Sequence, residues 1–206
     1  MDNLSQSEGL PFRVLIFTNQ EGIEKLNIPR LNFIKFEIVK LELEDLPKSP
    51  SVEDPCGLKL GWSMPKEELN KLNRVWLNKV FLMDEASRVK GEGADRITWF
   101  DGGFKSFGKK FPAHALKNFH KIQGQKFYSN RYPNADRIKH QRCSIPHHIH
   151  ANILSCRTDF IHEFSRIFGR HLGRVSADCG SFDEETILSS IFIKRPEIFG
   201  TWEDLE

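Results

Sequence analysis

The segment ITWFDGG, residues 97–103, places a carboxylate directly after a short apolar run. Residues 97–100 are β-branched or aromatic, which predicts a buried strand that ends at Asp101. In open α/β sheets ligands bind at the carboxyl ends of strands, and Gly102 and Gly103 allow a backbone to approach a ligand closely. Asp-Gly-Gly is also an ordinary turn after a strand. Both interpretations stay open on these residues alone.

Two strands and a long helix precede this segment. The run from Phe12 to Thr18 (FRVLIFT) predicts a buried strand of a parallel sheet, and residues 32–43 predict another strand. Ser63 is placed as the N-cap of a helix whose apolar residues recur at three- and four-residue steps until Gly91 and Gly93.

A strand and two helices are predicted after residue 148. The strand covers residues 149–156, one helix begins at the N-cap Thr158, and another begins at a capping box of Ser181 and Glu184. The alternation of strands and helices predicts an α/β fold with a mostly parallel sheet flanked by helices.

The length of 206 residues fits one domain over residues 12–206, after a polar tail at residues 1–11 that we expect to be disordered. No apolar run approaches the roughly 18 residues of a membrane helix, so we expect no membrane span. The four cysteines include no CxxC pair and are predicted to be reduced thiols. The chain is therefore expected in the cytoplasm.

A basic stretch lies between Phe104 and Cys143, where ten lysines and arginines stand against one acid, Asp136. Such a run is a solvated face or a surface that meets phosphates or another anion. Its interleaved aromatic residues can stack on nucleic-acid bases or anchor a long loop. We favour the loop, and do not expect nucleic acid as a partner, because no nucleic-acid module is recognisable.

Histidines and a cysteine cluster at His140, Cys143, His147, His148 and His150. These residue types suit zinc, but their spacing matches no established zinc finger. The alternatives are a structural zinc site and a histidine that lines an active site, and we favour the latter.

Three consecutive acids, Asp183, Glu184 and Glu185, stand in the first turn of the last predicted helix. Acids are favoured there by the helix dipole, so the cluster alone does not indicate catalysis.

Motifs in a fixed order resemble one known family. They are N-K-x-F-L at 78–82, W-F-D-G-G at 99–103 and D-E-E-T-I-L-S at 183–189, followed by F-I-K-R-P-E-I-F at 192–199. This order is similar to the bacterial HtrL/YibB family of lipopolysaccharide-cluster proteins, which are nucleotide-sugar glycosyltransferases of the GT-A fold. The resemblance covers roughly residues 12–199 and implies a GT-A-like, Rossmann-type sheet. We expect the first strand of the full fold to be missing.

The resemblance implies a divalent cation, Mn²⁺ or Mg²⁺, that bridges the two phosphates of a nucleotide-diphospho-sugar. Asp101 would bind this metal, and Gly103 stands where the fuller D-x-D motif has its second acid. Metal binding would then need another ligand or would be lost. A histidine, His148 among the three at 147, 148 and 150, could serve as that ligand, and the basic residues Lys79, Lys105 and Arg131 could take over part of the metal's role.

The resemblance also implies roles around the donor sugar and a glycan acceptor. Asp183 or Glu184 would act at the acceptor as a catalytic carboxylate, and as a base if the enzyme inverts configuration. The donor-binding residues would be Lys79, Asp101, Gly102, Gly103, Lys105 and Arg131. The alternative is a non-catalytic module on a degenerate GT-A scaffold, which binds anions or nucleic acid through its basic stretch.

Overall fold

The structure is a computed structural model that describes residues 12–25, 34–46, 65–89, 94–101, 121–132, 145–179, 182–202 and 204. The predicted tail at residues 1–11 lies outside these ranges. Strands and helices alternate along the described chain, which confirms the predicted α/β class. The strands are β1 (Phe12–Thr18), β2 (Ile34–Lys40), β3 (Arg96–Phe100), β4 (Phe127–Arg131), β5 (Ile149–Arg157) and β6 (Phe199–Thr201), and the α-helices are α1 (Gln20–Lys25), α2 (Lys66–Val89), α3 (Thr158–Asp178) and α4 (Glu184–Lys194).

The first two strands form a parallel pair, in which Phe12 lies opposite Ile34 and Thr18 lies opposite Lys40. This arrangement confirms the parallel pairing predicted from the FRVLIFT run, but the side chains of residues 13–18 are half-buried or exposed and not buried as predicted. The chain turns into α1 at Asn19, whose side-chain oxygen accepts a hydrogen bond of 2.8 Å from the backbone N–H of Gly22.

The other four strands form a mixed sheet in the order β3-β5-β4-β6. β5 runs antiparallel to both of its neighbours, while β4 and β6 are parallel. The sheet thus has fewer parallel pairs than predicted. The prediction failed because an apolar run indicates that a strand is buried on both faces but does not indicate its direction. The register between β4 and β5 is irregular: Ser129 lies opposite Leu154, but Asn130 lies opposite His150. Residues 151–153 therefore leave the regular pairing with β4.

The four-stranded sheet packs with α2, α3 and α4 around the larger of two apolar clusters. At its centre the rings of Phe127 and Phe164 stack with centroids 3.8 Å apart. Burying such a side chain contributes about 1.5–3 kcal/mol, so this cluster holds the sheet and the three helices in one arrangement. The smaller cluster consists of Ile122, Tyr128, Ile153 and Trp202, with Phe100 against it.

Helix α4 begins two residues away from the predicted capping box. Its N-cap is Asp183, which accepts from the backbone N–H of Thr186 at 2.8 Å, so the predicted box of Ser181 and Glu184 is wrong. Both pairs have suitable residue types at the same spacing. Asp183 takes the capping position, and the Glu184 carboxylate is left for contacts with other elements. Thr158 is likewise the first residue of α3 and not its cap, since its hydroxyl donates to the carbonyl of Ala94.

Cys179 is disulfide-bonded, whereas Cys156 is a buried free thiol. The prediction that all cysteines are reduced is therefore wrong for Cys179. Disulfides persist in oxidising compartments, so the cysteines no longer support a cytoplasmic location. Among the helices of the described ranges, none has the length and apolarity needed to cross a bilayer.

Candidate active site

A buried lysine of α2 joins the end of β3 to the start of α4. The Nζ atom of Lys79 donates to Glu184 Oε1 at 2.7 Å and to Asp101 Oδ2 at 2.9 Å. It also donates to the backbone carbonyl of Ala151 at 3.2 Å. Only 1% of the Lys79 side chain is exposed. An ammonium group has three N–H donors, so these three acceptors use all of them.

The pKa values of this group show how its charge is distributed. Burial disfavours the charged form of Lys79, but the ion pairs with Glu184 and Asp101 outweigh burial and raise its pKa above the ordinary value. The pKa of Glu184 rises to about 7, because burial disfavours its carboxylate more than Lys79 stabilises it. Lys79 therefore stays charged, while Glu184 can take up or release a proton near neutral pH.

Asp101 is fixed on both of its carboxylate oxygens. Its Oδ1 atom accepts from the indole N–H of Trp99 at 2.8 Å, and its Oδ2 atom accepts from Lys79. The side chain keeps 20% of its surface exposed, far more than the lysine beneath it. Asp101 is therefore the member of this group that a ligand can reach from solvent.

The next acid, Glu185, turns towards β4 and β5. Its Oε2 atom accepts from the hydroxyl of Tyr132 at 2.8 Å, and its Oε1 atom accepts from the backbone N–H of Ala151 at 2.9 Å. Burial, together with the nearby charges of Asp183 and Glu184, raises the pKa of Glu185 to about 8. The two consecutive glutamates thus make different contacts. Ala151 links them, because its N–H binds Glu185 and its carbonyl accepts from Lys79, which in turn binds Glu184.

Three side chains around the start of α4 can hold a metal ion. His147, Asp183 and Glu185 each offer one ligand atom, and these atoms lie within 4.8 Å of one another. His147 Nε2 is 3.7 Å from Asp183 Oδ1, and His147 Nδ1 is 3.7 Å from Glu185 Oε2. Carboxylate oxygens and one imidazole nitrogen suit a divalent ion such as Mn²⁺. We call these three residues the His147 group.

The beginning of β5 is anchored to α4 by Ser189, whose hydroxyl oxygen accepts the backbone N–H groups of His148 at 2.8 Å and Ile149 at 3.1 Å. The ring of His148 contacts the ring of Phe192, with centroids 5.4 Å apart. The Arg131 guanidinium lies over the same ring, 4.6 Å from its centroid. His148 and Arg131 thus pack around Phe192, and neither belongs to the His147 group.

The structure brings together four of the predicted site residues: Lys79, Asp101, Asp183 and Glu184. Gly102, Gly103 and Lys105 lie outside the described residues, as does most of the predicted basic stretch. Asp101 and His148, the predicted metal ligands, are not members of the His147 group. Of the residues that suggested zinc, His140 and Cys143 also lie outside the described ranges.

Sequence reasoning assigned no specific role to Glu185 or Tyr132. Glu185 has the default explanation of an acid in a first helical turn, and Tyr132 follows a strand among basic residues. A weak signal existed in the D-E-E run, since consecutive helical residues point about 100° apart and two acids can face two partners.

No protein-family model and no curated protein matches the chain. Among solved structures, mouse xyloside xylosyltransferase 1 in its apo form is similar over 92% of this chain and 71% of that protein. The sequence identity is 10% and the TM-score is 0.47. A likeness this distant does not decide the family, so the resemblance to the HtrL/YibB proteins stays a prediction.

Proposed function

We propose that the chain is a metal-assisted glycosyltransferase that moves a sugar from a nucleotide-diphospho-sugar to a glycan or similar acceptor. The observation that carries this proposal is the buried Lys79, which binds both the strand-end Asp101 and the Glu184 of the acidic motif. These three residues stand in three of the motifs that resemble HtrL/YibB glycosyltransferases. The donor-side residue Asp101 and the acceptor-side residue Glu184 would then both be held by the ammonium group of Lys79.

Lys79 acts in this proposal as a positioning residue. All three of its N–H donors are already used by protein acceptors, so a phosphate would have to displace one of them. Its ammonium group holds the Asp101 carboxylate in place through a contact of 2.9 Å. Asp101, which retains exposed surface, is then the group that faces the donor.

The His147 group is the proposed holder of Mn²⁺ or Mg²⁺. Its two carboxylates suit either ion, and its imidazole nitrogen favours Mn²⁺, because Mg²⁺ prefers oxygen ligands. Asp101 and Glu184 bind Lys79, and the charges of Asp183 and Glu184 act on Glu185. A divalent cation would favour the ionised forms of Glu184 and Glu185, whose pKa values are raised to about 7 and about 8. A bound divalent ion supplies charge that stabilises a leaving diphosphate.

Glu184 is the proposed catalytic carboxylate on the acceptor side. In transfer the bond between the anomeric carbon and the diphosphate oxygen breaks, and a bond to the acceptor oxygen forms. If configuration is inverted, the acceptor proton passes to Glu184, whose pKa of about 7 suits proton transfer near neutral pH. Asp183 is less suited to this role, because its Oδ1 atom already accepts from the N–H and the hydroxyl of Thr186.

Thermal unfolding with UDP, GDP and CMP, each with and without Mn²⁺, tests the proposal. A nucleotide at 100 times its dissociation constant adds about 2.7 kcal/mol to the free energy of unfolding. For a domain of this size that is roughly 5–10 °C in Tm. We expect one nucleotide to raise Tm only with metal, and Asp101→Asn to abolish the rise.

The matched control is Asp159→Asn, which replaces an aspartate that is 61% exposed and paired with Arg157 on the surface. It should keep the full nucleotide response. The proposal is contradicted if no nucleotide shifts Tm, or if the two variants respond alike. Release of nucleotide from the donor that binds, compared between wild type and Glu184→Gln, then tests the catalytic role.

A further inference from the structure

We propose that the side-chain amide of Asn152 binds a hydroxyl group of the transferred sugar and thereby selects the donor. This inference rests on the proposed glycosyltransferase function and adds a specificity-determining residue to it. Asn152 lies on β5, and none of the sequence motifs includes it.

Asn152 lies directly across the sheet from Asp101. In the antiparallel pairing of β3 and β5, Phe100 lies opposite Ile153, and the N–H of Asp101 donates to the carbonyl of Asn152 at 3.1 Å. Residues that face each other across an antiparallel pair project their side chains from the same face of the sheet, about 4.5–5.5 Å apart at Cβ. The carboxamide of Asn152 is therefore a neighbour of the carboxylate that faces the donor.

The Asn152 side chain lacks a structural explanation. The residue is only 5% exposed, and its Oδ1 atom is buried without a hydrogen-bond partner among the residues that the structure describes. A buried amide oxygen without a partner is costly, so such groups in native proteins call for a ligand, an ordered water or a functional role. Asn73 also has a buried Oδ1 atom without a partner among the described residues, but its amide nitrogen donates to the carbonyl of Phe182 at 3.1 Å and ties α2 to the start of α4.

The residues just before Asn152 already serve the site. Ala151 donates its N–H to Glu185 and offers its carbonyl to Lys79. His150 Nδ1 lies 3.4 Å from Glu185 Oε1. Ala151 and Asn152 belong to the stretch of β5 that leaves the regular pairing with β4, and His150 lies directly before it.

The chemistry of a carboxamide matches a sugar hydroxyl. The amide oxygen accepts and the amide nitrogen donates, and a hydroxyl group can do both in return. A diphosphate is a poorer match, because its oxygens carry negative charge and would face the buried Oδ1 acceptor. The place also fits, since the reacting sugar must lie between Asp101 on the donor side and Glu184 on the acceptor side.

Isothermal titration calorimetry with UDP, GDP, UDP-glucose, UDP-galactose, UDP-N-acetylglucosamine and GDP-mannose in Mn²⁺ tests the assignment. In wild type we expect one nucleotide sugar to bind at least tenfold more tightly than its free nucleotide. Asn152→Leu should remove most of this preference and change the affinity for the free nucleotide less than twofold. A site built to bind a hydroxyl group loses much affinity when the hydrogen bond to that hydroxyl is removed. The preference for the nucleotide sugar should therefore fall strongly in this variant.

Stability separates a ligand-binding role from a structural one. Asn152→Leu replaces an unpartnered amide with an apolar side chain of similar size, so its Tm should equal or exceed that of wild type. The control Asn73→Leu loses a real hydrogen bond and should lower Tm while keeping the sugar preference. Asn152→Ala serves as a second variant if leucine does not fit.

Each outcome has a defined meaning. If wild type prefers a nucleotide sugar and both Asn152 variants keep that preference, the role of Asn152 is refuted while the proposed function stands. If the Asn152 variants lose stability as Asn73→Leu does, the amide is structural and the inference is overturned. If wild type binds no nucleotide sugar, the proposed function fails, and the inference fails with it.

Discussion

Replacing Lys79 with methionine removes the positive charge that pairs with the buried Glu184 and the partly exposed Asp101. Methionine has a similar length and no charge, so the variant tests electrostatics more than packing. Removing one partner of a buried ion pair typically costs about 3–5 kcal/mol, because the other charge stays buried without compensation. For a domain of this size that corresponds to a Tm lower by on the order of 10 °C.

The loss should depend on pH. At pH 8 Glu184 is largely ionised in wild type, whose pKa at this residue is about 7, and the lysine contributes its full ion-pair energy. At pH 5 Glu184 carries a proton, so the Lys79→Met variant buries one unpaired charge fewer. We therefore expect the destabilisation to be clearly larger at pH 8 than at pH 5.

Urea unfolding of both proteins at the two pH values measures the effect. The control Lys71→Met lies on the same helix but is 57% exposed and paired with Glu67, so it should change stability by less than about 0.5 kcal/mol. The double variant Lys79→Met, Glu184→Gln should recover part of the loss, because a neutral amide replaces the unpaired carboxylate. Equal stability of Lys79→Met and wild type at pH 8 would refute the conclusion that the charge of Lys79 stabilises the ionised Glu184.

Three further predictions concern other parts of the molecule. In EDTA, stability should fall from pH 5 to about pH 8 and then level off, because Glu184 and Glu185 bind protons up to pKa values of about 7 and 8 in the fold, against 4.5 in the unfolded chain. Flat thermal-melt data over that range would contradict this reasoning. His147→Ala should abolish Mn²⁺-dependent stabilisation measured by calorimetry, whereas His148→Ala should retain it; the reverse result would favour the ligand predicted from sequence. Cys179→Ser should lower stability by about 2–4 kcal/mol, and non-reducing peptide mapping should find this cysteine in a disulfide-linked peptide; a free thiol there would contradict the structure.

The elements of the fold were largely predictable, because strands and helices leave local patterns. β1, β2, α2, β3 and β5 appear within a few residues of their predicted bounds. The direction of β5 was not predictable, because antiparallel and parallel buried strands share the same apolar composition. Direction depends on connections and packing between distant segments, which no local pattern contains.

Single residues of the site were predictable from the sequence, but the contacts between them were not. Lys79, Asp101 and Glu184 were singled out from motifs, but only the folded chain places one ammonium group on both carboxylates. His148 was predicted as the metal ligand, whereas His147 is the histidine of the His147 group. β5 begins at Ile149, and His147 is instead held by Thr186, at 3.0 Å from its Nε2 atom.

Ala151 has a consequence for how this site can be mapped by mutagenesis. Its N–H binds Glu185 and its carbonyl binds Lys79, so a residue with no functional side chain connects the proposed metal group to the buried lysine. Alanine scanning passes over it, because the residue is already alanine. Replacing the amide N–H of residue 151 by an ester oxygen, through chemical synthesis of this backbone link, should weaken the Glu185 contact while leaving every side chain unchanged. A survey of this site restricted to side chains would therefore miss the backbone groups of Ala151, which bind both the His147 group and Lys79.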